Sequence, residues 1–166
     1  MSAAKTVNLK SPLLSSEVIE AFVESVKYTI STMTTLNLIA GAPQAFFGIQ
    51  SQTDIAGVVG ITSDENRGSL ILSFSKSAIL EIHNQILGEV ETELSQSVAD
   101  IVGEMSNMIY GSSKSKLNKI GYNFQMSIPT IVSGRFEFFH KSKSSTVTIP
   151  FTINDKHKFT VSVSVE

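Results

Sequence analysis

The chain has 166 residues, which fits one domain able to bury about 70% of its unfolded surface without a covalent staple. It holds no cysteine, which removes thiol nucleophiles, thiolate metal sites and disulfide frameworks and fits a cytoplasmic setting. Thirteen basic against fifteen acidic residues give a net charge of -2, which argues against a partner held by phosphate neutralisation, so no nucleic acid is expected. Residues 1–10 lack the apolar core of a signal peptide, and no run approaches the roughly 20 apolar residues of a membrane span, so neither export nor membrane insertion is expected.

A first helix is predicted over 16–34, with Ser15 or Ser16 as N-cap and Val18, Ile19, Phe22, Val23, Val26 and Ile30 at helical spacing. Gly41-Ala42-Pro43 breaks regular structure beyond that helix. Three β segments come next, over 44–50, 54–62 and 69–75, the last two joined by a turn-rich run and read as an antiparallel meander. A second helix spans 76–87 and stops at Gly88. A long third helix opens at Glu91 or Thr92 and runs to Ile120, with Gly121 closing it. Strands over 122–132, 146–154 and 157–165 complete the chain, the last two joined by a turn at Asn154-Asp155-Lys156. In the final strand Phe159, Val161, Val163 and Val165 alternate with Thr160, Ser162 and Ser164, the period of a strand buried on one face. At a sheet edge such a strand can pair with a second copy of itself, a route to a homodimer.

These elements describe a single α+β domain over 1–166, a largely antiparallel sheet of about six strands packed with two long helices and one shorter one. Each half is a long helix followed by three strands. Superposed at an offset of 80 residues, Glu20, Glu24 and Lys27 fall where Asp100, Glu104 and Asn107 stand, and Phe22 meets Val102, which suggests an internal duplication.

The third helix carries the most information. At about 100° per residue, Asp100, Glu104, Asn107 and Gly111 fall within an arc of roughly 60°, while Leu94, Val98, Ile101, Val102, Met105, Met108 and Ile109 occupy another. The helix therefore has a packing side, on which Met105 and Met108 serve the core, and a presenting side. Read alone, that polar stripe is a solvated face. Gly111 keeps it clear of bulk, so a partner surface can approach closely. Lys114, Lys116 and Lys119 complement the helix dipole, and no aromatic residues are interleaved with them for base stacking. His83, beside Ile82, is read as a partly buried or interfacial residue. His140 and His157 lack the spacing of a zinc site, so no metal site is expected. There is no Gly-x-Ser-x-Gly elbow, and Ser133-Gly134 reads as the end of a strand.

The run DIVGEMSNMIYGSSKSKL (100–117) resembles the CheX members of the CheC, CheX and FliY chemotaxis phosphatase family. That family's motif is an Asp or Ser, a Glu four positions on and an Asn three further along a long helix, met here by Asp100, Glu104 and Asn107. DIAGVVGIT (54–62) and RGSLILSFS (67–75) ahead of the motif, and GYNFQMSIPTIVSG (121–134) behind it, also resemble CheX segments. The resemblance implies a CheC-like fold, a dimer, and hydrolysis of the aspartyl phosphate on a phosphorylated CheY-type response regulator. It also implies one site rather than two, because Lys27 removes the first helix's candidate.

Within that resemblance the chemistry fits the residues. The carboxamide of Asn107 does not titrate usefully but can orient a water in line with phosphorus. Glu104, one turn away, can form a charge-assisted bond to the partner's phosphate-site lysine. Glu104 and Asn107 are the expected catalytic pair, and Asp100, Glu104 and Gly111 the expected partner-binding positions. No cofactor of its own is expected, the divalent metal (Mg2+) belonging to the receiver. Two other readings stand beside this one: a non-catalytic module docking a receiver or a motor component through the same helix, and a small-molecule phosphatase. The last is disfavoured by the lack of a Gly-rich phosphate cradle or a metal-carboxylate cluster.

Overall fold

The computed structural model describes residues 15–46, 53–137 and 145–165. The part of the first expected β segment over 47–50, and His140, lie outside them. In chain order the elements are α1 (Ser16–Met33), β1 (Leu38–Ala40), β2 (Gln44–Phe46), β3 (Thr53–Thr62), β4 (Arg67–Phe74) and α2 (Lys76–Leu87), then α3 (Gln96–Lys119), β5 (Gln125–Met126), β6 (Thr130–Phe136), β7 (Ser145–Ile153) and β8 (His157–Val165).

Among the described residues, serine hydroxyls start the three helices: Ser15 accepts from the Val18 N–H, Ser75 from Ala78 and Ser95 from Val98, each satisfying an otherwise orphaned donor. Gly88 ends α2 in the left-handed region at φ 66°, where a side chain would be strained. The third helix begins at Gln96, later than the Glu91 or Thr92 expected from sequence. The Asn84 carboxamide accounts for the delay, accepting from Glu91 N–H at 2.8 Å and donating to Glu91 C=O at 3.1 Å. This clamp ties the segment before α3 to α2 in a non-helical form, so Leu94 stands ahead of the helix rather than on it.

The eight strands form one antiparallel sheet in the order β1-β7-β8-β4-β3-β5, with β2 also on β7 and β6 also on β3. Short pairs β1 with β2, and β5 with β6, thus share single outer lanes, and the sheet is six lanes wide. Two differences from the sequence reading explain the count. Leu38–Ala40 is a strand too short for a periodic signal. The expected strand over 122–132 is interrupted at Ser127-Ile128-Pro129, where Ser127 donates its N–H to Gly60 C=O (2.9 Å) and accepts the Gly60 N–H on its hydroxyl (2.8 Å). Proline then has no N–H for the ladder.

The sheet order is nearly the same read from either edge: an outer lane of two short strands, then two long ones, then the mirror set. The matching extends to the helices, since Ser15 and Ser95 are both N-caps at the offset of 80, and Val18, Phe22, Ser25, Val26 and Thr29 are buried like Val98, Val102, Met105, Ser106 and Ile109.

The final strand is not at an edge. β8 lies between β7 and β4 over nearly its whole length, so it cannot be the dimerising strand. Ser162 and Ser164 are buried, and their hydroxyls are satisfied by Thr148 (2.8 Å) and Thr146 (3.1 Å) across the ladder. On the other face Phe74, Phe159 and Phe151 sit side by side on β4, β8 and β7, with ring centroids 5.0 Å apart in each pair. They join Val26, Ile30, Ile79, Val102, Met105 and Ile109 from the helices in one apolar core.

Candidate functional site

The third helix is the hub of the helical layer, touching α1, α2, β3 and β6. Its depth on the sheet is set where Gly57 of β3 meets Ser106: a Cβ on Gly57 would run into Ser106 Oγ, which donates to Val102 C=O at 2.7 Å inside the helix. Both small residues are needed for this approach. On the flank toward β6, a Cβ added at Gly103 would meet Ile131 Cδ1 at 3.9 Å, an ordinary contact. Gly57 inside the strand pattern of 54–62 is the sequence signal that points to the close approach at Ser106.

With Val98, Val102, Met105, Ser106, Ile109, Ser113 and Leu117 buried, the opposite side of α3 is turned outward. Asp100, Glu104, Asn107 and Gly111 are all exposed along it. Residues three and four apart on a helix have Cβ atoms about 5–6 Å apart, so Glu104 and Asn107 present a carboxylate and a carboxamide together. Among the described residues, nothing beyond the helix's own backbone lies within 4 Å of where a Gly111 Cβ would stand. Asp100 is held on its own turn, accepting from Gln96 Nε2 at 2.8 Å, a partner the sequence reading did not single out.

Met108 departs from its expected place in the core. Met105 is fully buried, but Met108 is only partly so and lines a groove of about 350 Å³ between α1 and α3, with Tyr28, Ser112, Ser115, Lys116 and Lys119. The helix turns Met108 past the sheet-facing arc and toward α1. The three lysines do more than sit at a helix end. Lys116 Nζ donates to Glu24 Oε2 at 2.6 Å across to α1, and that bond holds the Glu24 carboxyl below the usual carboxylate range. Lys114 Nζ lies 5.9 Å from the Tyr110 ring centroid. On α1, Glu20, Glu24 and Lys27 form the exposed counterpart of the α3 stripe, with an ammonium in place of the carboxamide.

Of the two readings of His83, the interfacial one fits: it is buried between helices, its ring nitrogens 2.8 Å from Ser97 Oγ and 3.1 Å from Asn84 Oδ1. It serves the junction of α2 with the start of α3. There Glu91 accepts from the Ser95 hydroxyl at 3.1 Å, which lowers the Glu91 pKa. Among the described residues no group of three or more His, Asp or Glu side chains is placed to hold a metal ion, and no helix is long and apolar enough to cross a membrane.

A layer of helices on a six-lane antiparallel sheet, with an acid–amide pair displayed on the central helix, defines a CheC-like domain. The chain belongs to the family described as chemotaxis phosphatase CheX, whose model matches residues 55–152. It is 28% identical over 154 residues to the CheY-P phosphatase CheX of Thermotoga maritima, covering 92% of this chain and 98% of that one. A CheC-like superfamily protein from Shewanella sp. PV-4 superposes with a TM-score of 0.86 at 30% identity, over 92% of this chain and 99% of the other. The same fold recurs in the CheX–CheY–BeF3–Mg2+ complex from Borrelia burgdorferi, at a TM-score of 0.72 and 21% identity, over 90% of this chain and 97% of that one.

Proposed function

We propose that this protein is a cytoplasmic phosphatase that accelerates loss of the aspartyl phosphate from a CheY-type response regulator, with Asn107 and Glu104 as its catalytic pair. Family membership and the Thermotoga relative support the reaction class. The observation that carries the assignment is the joint exposure of Glu104 and Asn107 on a helix whose far side is locked into the core. An acyl phosphate is already reactive, so a helper needs position more than chemistry. Asn107 orients the attacking water with its carboxamide. Glu104 docks on the lysine of the receiver's phosphate pocket and sets the depth of insertion. Asp100 and Gly111 belong to the contact rim, the first held by Gln96 and the second leaving room for the partner's backbone. Mg2+ is supplied by the receiver.

With purified phosphorylated receiver, Asn107→Ala abolishes accelerated phosphate release and leaves most of the binding. Unchanged release from that variant would refute catalysis and favour a docking module of the same fold. Charge reversal at Glu104 weakens binding and release together. The protein is also proposed to act as a homodimer. Since β8 is internal, sheet continuation between copies has to use an outer lane, β1 and β2 or β5 and β6; sedimentation gives the mass that tests it.

A further inference from the structure

A stripe of three side chains cannot by itself make a stable protein contact. A specific interface buries about 800 Å² on each partner, a patch roughly 30 Å across, so surface flanking Asn107 must take part. The α1–α3 groove is such a flank. Met108 is next to Asn107, Ser115 follows Gly111 by one turn, and Lys119 lies about 18 Å along the helix from Asn107 at 1.5 Å per residue. All fall within that patch, and Gly111 leaves no wall between the stripe and the groove.

We infer that the groove between α1 and α3 is a second contact surface for the phosphorylated receiver, seating an acidic stretch beside its phosphorylated pocket; this rests on the receiver reading of Asn107 and Glu104. Its composition fits an interface: Tyr28 is 59% exposed although it is a large aromatic, and Met108 supplies an adaptable apolar wall. Its charge fits the partner. Lys116 and Lys119 line the groove, Lys27 lies beside Glu24 on α1, and Glu24 is already engaged by Lys116, while Glu20 stands one turn earlier on α1. In the receiver the phosphoryl dianion and the Mg2+ ion cancel, and Glu104 neutralises the pocket lysine on docking, so the one or two carboxylates that hold the metal leave the rim of the pocket negative. The stripe itself is acidic at Asp100 and Glu104, so the lysines of the groove offset a repulsion that the stripe alone would meet.

Phosphate release from the receiver, measured as KM and kcat at low and high salt, tests this. Lys119→Glu and Tyr28→Ala each raise KM about tenfold, equivalent to 1.4 kcal/mol, while kcat is kept, because neither residue touches the reacting atoms. The Lys119→Glu effect shrinks as salt is added. Glu24→Gln, which frees Lys116 and adds net positive charge, lowers KM at low salt, whereas a merely structural ion pair would leave it unchanged or raise it. KM within about twofold of the parent for both Lys119→Glu and Tyr28→Ala overturns the inference. Asn107→Ala in the same assay separates the two levels: lost release with an unmoved KM in the groove variants refutes the groove alone, and retained release in Asn107→Ala refutes the catalytic reading of Asn107 beneath it.

Discussion

Replacing Gly57 by alanine tests what fixes the depth of the presenting helix. The added methyl would collide with Ser106 Oγ, a wholly buried hydroxyl bonded back to Val102 C=O. Either the hydroxyl turns away and gives up that bond, or α3 lifts off β3. Overpacking of this kind costs about 1–3 kcal/mol. For a domain of this length, about 2 kcal/mol corresponds to a fall in Tm of roughly 4–8 °C. Ser106→Ala alone removes only the clashing atom and its local bond, for about 1 kcal/mol or less. The next nearest atoms to the new methyl, Ser106 Cβ and Val102 Cγ1, are at 3.4 Å, an ordinary contact. The double variant therefore recovers most of the loss, with a coupling of about 1–2 kcal/mol measured by urea unfolding of all four proteins. Additive effects would show that Gly57 does not set the helix position through Ser106.

The same geometry sets four further outcomes. Asn107→Ala keeps or slightly raises thermal stability, because the residue is exposed and alanine is the better helix former by roughly 0.7 kcal/mol, even as phosphate release is lost. Phe159→Ala removes the middle ring of the three-strand stack and costs about 3–5 kcal/mol in chemical denaturation. Gly88→Ala forces a side chain into the left-handed region and costs about 1–2 kcal/mol, seen as a lower urea midpoint. The Glu91 carboxyl is held down chiefly by the Ser95 hydroxyl, so its contribution to stability is present above the unfolded carboxylate value and lost as pH falls through the folded one. Ser95→Ala raises the Glu91 pKa toward the ordinary range, which carboxyl NMR titration reads directly.

The helices were legible because their signals are local. Serine N-caps, Gly88 and a periodic apolar face locate α1 and α2 within a residue, and the same face of α3 predicts which side turns outward. What escaped is non-local. The start of α3 depends on a carboxamide seven residues earlier in another helix, Asn84 on Glu91. Met108 lies on the margin of the apolar arc, and only the arrival of α1 decides that it lines a groove. The alternation in β8 marks a strand with one apolar face, but an edge and a centre read alike when serines and threonines bond each other across the ladder. At the site, residue types and spacing place Glu104 and Asn107 on one stripe, whereas the Gln96 bond to Asp100 and the Lys116 bond to Glu24 are side-chain choices that spacing leaves open.

The sheet's lane order also governs how the polypeptide holds together. The outer lane made by β1 and β2 is laid on β7, from the later half, and the lane made by β5 and β6 is laid on β3, from the earlier half. Each half thus clasps the other, and a cut between α2 and α3 would leave two pieces with open ladders and bare apolar faces. On these grounds neither piece is expected to fold alone, and the paired helices depend on one cooperative unit in which α3 is anchored by β3 from the earlier half and β6 from the later one.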